Sequence, residues 1–316
     1  MSASSIWNVT EQNFPVDGSP RQKLVFAMKY VALAPTQNGW QPWNFRMSDT
    51  HLELMAQNDP ARNAVDPDGR EMMIGCGAAL LYLKLALKHF GCLGRVALFP
   101  DLGDSALVAR IHFGFCSERD PWEKLLFEAM SENRANVLSA GGTLVSETML
   151  AALSHAAAGE RGWLDFTQSE TSRRYVMRIT LAAAQSTANS AEEESDSHWR
   201  LPLFASDQQS ANSLNVTVEP VREPSDAVTL AVVKTKTDDK HGWLEAGQIM
   251  ARTILQAQAL GLSWAFFDPM RRRETRVALR TSVGHKGFAQ VILQFDPLTN
   301  TKMIPMAALS GAARLQ

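Results

Sequence analysis

The stretch "APTQNGWQPW", Ala34 to Trp43, crowds together side chains able to hold a flat polar ligand. Gln37, Asn38 and Gln41 carry amides that both donate and accept hydrogen bonds. Pro35 and Pro42 pre-set the backbone on either side, and Gly39 lets another group approach the main chain closely. Such a segment suits the edge of a planar heteroaromatic ligand, with Trp40 or Trp43 lying against it. The plainer alternative is a tight turn anchored by buried tryptophans, and Trp43 fits that role better.

Other chemistries lack their residues. No HExxH, GxSxG or Walker sequence occurs, the seven histidines show no metal-ligand spacing, and no metal is expected. His89, His112, His241 and His285 read as structural or surface residues. Cys76, Cys92 and Cys116 are an odd set without CxxC spacing, which argues against a disulfide framework and a structural zinc site. "GCGAAL" imitates a dinucleotide fingerprint, but it follows a turn rather than a long strand, and its third small position is Leu80. Close helix packing through Gly75 and Gly77 is the better account.

A net charge of -2 gives no electrostatic case for nucleic acid or an anionic membrane, and Arg271 to Arg273 read as a solvated turn. The first residues lack a basic segment followed by an apolar one, and no uninterrupted apolar run is long enough to span a bilayer. The expectation is a cytoplasmic protein with neither nucleic-acid nor membrane partners.

The elements that must position the loop occur twice. "CGAALLYLKLALKHFG", Cys76 to Gly91, and "AGQIMARTILQAQALG", Ala246 to Gly261, share one glycine spacing, and each ends on a glycine suited to a left-handed helix stop. Each is followed by strand-like sequence, Gly94 to Pro100 and Leu262 to Pro269, and then by a second run, Ala106 to Phe115 and Phe288 to Phe295. The first helix is apolar nearly all round except for Lys84 and Lys88, so it is buried on most sides. Two such helices would form the spine between two halves. A capped helix after Asp120 and Pro121 sets the boundary near residue 120. The acidic segment from Ser186 to His198 reads as a solvated linker or a mobile lid.

With these segments in view, the chain resembles the nitroreductase-like flavoproteins. "PTQNGWQPWNF" is similar to their "PSxxNxQPWxF" signature, and Asp66 to Gly91, Glu132 to Asn136 and Trp243 to Ser263 agree with their two-domain, single-chain branch, the Acg-type proteins. The resemblance covers most of residues 20 to 310. It implies an α+β fold of two fused nitroreductase-like units forming an intramolecular pseudo-dimer. Residues 1–20 would be an extension, 21–120 the first unit, and 121–316 the second unit with a lid around 186–213.

The resemblance also implies one FMN between the halves. Thr36, Gln37, Asn38, Gly39 and Gln41 would face its ring and ribityl chain. Arg134 and Asn136 would meet the phosphate, with Lys302 as a further basic residue, since a guanidinium pairs well with phosphate oxygens. Phe267 and Asp268 would lie near the flavin N5 edge, Asp268 as the catalytic candidate for proton movement. Here the chain departs from the family pattern: Gly39 stands where asparagine is usual, Trp40 replaces a small residue and becomes a substrate-pocket candidate, and Val137 and Leu138 replace basic residues.

The implied function is FMN-dependent oxidoreduction, with hydride from NAD(P)H or substrate and electrons passed to a small electron-poor or biosynthetic organic acceptor. A flavin-sequestering protein and a degenerate pseudoenzyme are the alternatives. A fused chain buries the surface that pairs ordinary nitroreductases, so a monomer or weak homodimer is expected.

Overall fold

The computed structural model describes residues 11–36, 40–62, 66–116, 120–131, 144–167, 169–176, 178–179, 229–267, 273–282 and 286–297. Helix α1, Pro20–Met28, starts at a capping box in which Ser19 and Gln22 exchange side-chain and backbone hydrogen bonds, with proline just inside the start. A 3-10 turn, Lys29–Leu33, leads into the loop. The hairpin β1, Trp43–Met47, and β2, His51–Ala56, follows. The long helix α2, Arg70–His89, then delivers the chain to β3, Leu93–Leu98, and β4, Leu107–Phe113.

After helices α3, Pro121–Ser131, and α4, Glu147–Ala158, come β5, Trp163–Phe166, and β6, Thr229–Thr235. A second long helix, α5, Lys240–Ala259, leads to β7, Leu262–Phe267. Helix α6, Arg273–Ser282, and β8, Phe288–Pro297, complete the order. Asp120 accepts from the Trp122 N–H at 2.9 Å and so caps α3, as its sequence predicts.

The two four-stranded sheets share one plan. The first runs β1-β2-β4-β3 and the second β5-β6-β8-β7, with antiparallel pairing throughout. In each, the long helix enters after the second strand and packs on the inner face. Both helices are 20 residues long, and both stop at the expected glycine, Gly91 at φ 67° and Gly261 at φ 71°. Both start earlier than expected. The turn before α2 ends at Gly69, φ 68°, which lets Arg70 and Glu71 enter the helix, and Asp239 caps α5 through the Gly242 N–H.

Helices α2 and α5 cross at their shared glycine. A Cβ on Gly77 would lie 3.0 Å from Gly247 Cα, and one on Gly247 would lie 2.8 Å from the Ile74 carbonyl carbon. Backbone meets backbone there, so neither position has room for a side chain. One core runs through the crossing from Leu52 and Leu54 to Leu293 and Phe295. A smaller one, with Leu230, Val232, Leu279 and Ile292, lies on the other face of the second sheet. That sheet is covered on both faces, which explains why every residue of β6 is buried.

Helix α2, although interrupted by Lys84, is long and apolar enough by length and composition to cross a membrane. Its most apolar stretch is 72% buried within the protein, so the fold itself accounts for the hydrophobicity.

Candidate functional site

The loop after the 3-10 turn is pinned at Pro42. Its carbonyl accepts from the Gln57 N–H at 2.9 Å and from the Cys76 thiol at 3.4 Å. A Cβ on Gly75 would come within 2.6 Å of the Pro42 ring, so the bare helix surface at Gly75 is the seat of the proline. Burial pushes the Cys76 thiol up to about 12, which keeps it a neutral donor. Trp43 is buried at the head of β1, the anchoring role expected of it.

The loop so held forms one wall of a cleft between the two sheets and their helices. Pro35, Thr36, Trp40 and Pro42 line it on one side, and Glu71, Ile74 and Gly75 of α2 form its base. Met250 of α5, Phe266 of β7 and Val291 of β8 close the opposite side. Apolar faces dominate; the polar side chains are Thr36, 6% exposed, and Glu71, also 6% exposed. The space open to the centre of a water-sized sphere is about 20 Å³. That is room for a water molecule, and a flat ring enters only if a wall moves.

A buried polar chain secures the far wall. Arg70 donates to the Gln290 side chain at 3.2 Å and also to its carbonyl oxygen, so the start of α2 grips β8 next to Val291. The Gln290 amide donates onward to Thr235 at 3.1 Å and Asp238 at 3.2 Å. Asp238 also accepts from the Trp243 indole at 2.8 Å and from Arg276 at 3.1 Å. Burial opposes ionisation of Asp238, but the hydrogen bonds from Trp243 and Gln290 and the charge of Arg276 outweigh it and hold the carboxyl below its usual range.

The two lysines that interrupt α2 lie in a second polar cluster. Lys84 reaches Glu160 at 3.1 Å and Gln248 at 3.0 Å, and Lys88 reaches Glu123 at 2.7 Å. Arg252 of α5 completes it with Glu160 at 2.8 Å. Here charges are paired inside the fold and fix which face of α2 meets α5.

Of the residues marked in the sequence, Thr36 and Trp40 stand together in the cleft. Gln41 does not line it: the side chain is exposed and donates to the Ala32 carbonyl at 3.4 Å. Phe267 ends β7, and its neighbour Phe266 faces the cleft. Gln37, Asn38, Gly39, Arg134, Asn136, Asp268, Lys302 and the segment 186–213 lie outside the described residues.

Sequence reasoning missed Glu71, Met250, Phe266 and Val291. In sequence Glu71 reads as the end of the turn before the helix, and the other three are ordinary core residue types whose place in a cleft depends on the helix crossing. Gly75 gave a usable signal, since the glycine pair was already assigned to close packing. His89 stacks on Phe127 at 3.7 Å and His241 packs edge-on to Phe99 at 4.4 Å, both structural uses. Cys76 and Cys92 are buried. Among the described residues no cluster of three or more His, Cys, Asp or Glu side chains is arranged to hold a metal ion.

No protein-family model matches the chain. Over 92% of its length it is 27% identical to "Putative NAD(P)H nitroreductase Rv3131" of Mycobacterium tuberculosis (strain ATCC 25618 / H37Rv), covering 90% of that protein. A shorter stretch, 28% of the chain, is 32% identical to "Putative NAD(P)H nitroreductase acg" of the same strain, over 26% of that protein. Along nearly its whole length the chain is thus similar to proteins named as nitroreductases. Among solved structures, a nitroreductase with bound FMN from Bacteroides fragilis NCTC 9343 is 12% identical, with a TM-score of 0.36 over 57% of this chain and 94% of that one.

Proposed function

We propose that this chain is an FMN-dependent oxidoreductase built as two fused nitroreductase-like units, with the boundary near residue 120 and one flavin between them. The observation that carries the reading is the cleft itself, in which Pro35, Thr36, Trp40 and Pro42 of the first half face Met250, Phe266 and Val291 of the second. Similarity to a named NAD(P)H nitroreductase along nearly the whole chain supports it.

The lining fits a flavin ring in kind: apolar faces on both sides, with few polar groups at the margin. Thr36 and the amides of Gln37 and Asn38 would hold the ring edge, Gly39 would admit it against the backbone, and Phe267 would border it. Arg134, Asn136 and Lys302 would hold the phosphate. When bound, FMN supplies hydride acceptance and release. The chain's own part is to bind, orient and exclude water, and to hold a proton at Asp268. The balanced reaction is NAD(P)H, a proton and a small electron-poor acceptor giving NAD(P)+ and the two-electron-reduced acceptor. A monomer, or a weak homodimer through another face, accords with the internal pairing.

One observation favours a second reading, a flavin-holding protein without turnover: the narrowness of the cleft at about 20 Å³. Anaerobic addition of NADPH or NADH to FMN-loaded protein, followed by a quinone, separates the two. Bleaching and recovery of the flavin band support the enzyme; a bound flavin that neither donor bleaches supports the holder. Protein that leaves the spectrum of added FMN unchanged defeats both.

A further inference from the structure

Resting on that oxidoreductase reading, we infer that Trp40 is the specificity-determining wall of the cleft and that Arg62 is the residue that positions it. The cleft is too narrow for a ring as it stands, so one wall must give way. Ile74 and Met250 sit on the two crossed helices, and Phe266 and Val291 on paired strands, all in regular elements tied into the core. Pro35 and Pro42 are held by their rings, Pro42 against the Gly75 seat.

Trp40 is different. It lies outside any helix or strand, it is partly exposed, and its indole packs under the Arg62 guanidinium, 4.3 Å from the ring centroid. Trp40 lines the cleft and Arg62 does not, so Arg62 can act on the cleft through its contact with the indole. A cation over an indole is a weak attraction at a partly exposed site. That is enough to bias the resting position and little enough to be displaced by an entering ring. The acceptor class that follows is a flat, electron-poor aromatic or quinonoid ring able to stack on the indole. Bulky non-planar acceptors are turned away by the same side chain.

The test uses FMN-loaded full-length protein and the variants Trp40→Ala, Trp40→Phe, Arg62→Gln and Arg62→Lys. FMN affinity is read by quenching of flavin fluorescence, and acceptor choice by the ratio of kcat/KM for menadione to that for a quinone bearing bulky alkyl groups. Trp40→Ala should lower the ratio by about tenfold through KM, with Trp40→Phe between it and the parent. Arg62→Gln should lower it by about threefold, and Arg62→Lys, which keeps a cation, should restore it. Equilibrium binding of 4-nitrobenzoate to the oxidised protein, followed by the shift of the flavin spectrum, should weaken in the same order without any turnover. An unchanged ratio and unchanged 4-nitrobenzoate binding in Trp40→Ala, with FMN still bound, would overturn the inference and leave the flavin reading standing. Loss of FMN from Trp40→Ala and Trp40→Phe alike would also overturn it, making Trp40 a cofactor-holding residue. Parent protein that binds no FMN would instead sink the reading beneath it.

Discussion

Helices α2 and α5 can be laid over one another at Gly77 and Gly247, and their differences fall where the cleft does. Two residues before the shared glycine stand Gly75 in one helix and Glu245 in the other; six before stand Glu71 and His241. Around Gly75 there is space for Pro42 to seat, and the loop beyond it forms a cleft wall. At the corresponding end of α5, Phe99 packs on His241 at 4.4 Å, and Glu245 occupies the position that glycine leaves bare in α2. Burial raises the carboxyl of Glu245, against the pull of Arg161, His241 and Lys236. A plan used twice leaves different surfaces at matching positions: glycine offers a seat to Pro42 in α2, and Glu245 places a side chain there in α5.

The largest effect should come from the feature both helices share. Gly247→Leu forces a side chain into the Ile74 backbone and should remove about 3 kcal/mol or more of stability. Guanidinium denaturation measures it, and a midpoint equal to that of the parent would show that the crossing is not what holds the halves together. Next is the feature that separates them. Gly75→Glu copies the second helix into the first, displaces Pro42, and should weaken FMN binding at least about 100-fold, a loss near 3 kcal/mol. Far-UV circular dichroism should stay near that of the parent, and retained affinity would mean the seat is not needed.

A smaller loss should follow Glu160→Ala, which takes the shared carboxylate from Lys84 and Arg252 and leaves them Gln248 and Glu123 as partners. About 2 kcal/mol is expected, less than for a fully enclosed pair because Lys84 is 23% exposed. Urea unfolding should show it while flavin binding stays intact. The smallest effect concerns acid. Asp238 has its folded carboxyl below the unfolded value, so its stabilising contribution is present above about pH 4 and is lost as pH falls through the folded value. Asp238→Asn should therefore flatten the acid limb of a stability-against-pH curve, and a limb as steep as the parent's would assign the acid sensitivity elsewhere.

How much of this was legible in the sequence follows the same division. The long helices and the strands after them could be read because glycine spacing, helix stops and strand runs agree at each level. The strands β1, β2, β5 and β6 escaped notice; β1 and β2 alternate polar with apolar residues over short lengths, which is a weak signal. The start of α2 was hidden because Gly69 reads as the end of a turn and the charged pair Arg70 and Glu71 reads as surface, although both side chains are buried. In the site, Thr36 and Trp40 were visible through their loop. Met250, Phe266 and Val291 were not, because nothing about an apolar side chain marks it as a cleft wall until the crossing brings it opposite the loop.

On the proposed function the repeated architecture holds one flavin, in the cleft lined by Gly75. Titration of the purified full-length protein with FMN, followed by quenching of flavin fluorescence, measures the stoichiometry directly. One FMN per chain, lost in Gly75→Glu, is the predicted result; two per chain, none, or one that Gly75→Glu leaves in place would contradict it.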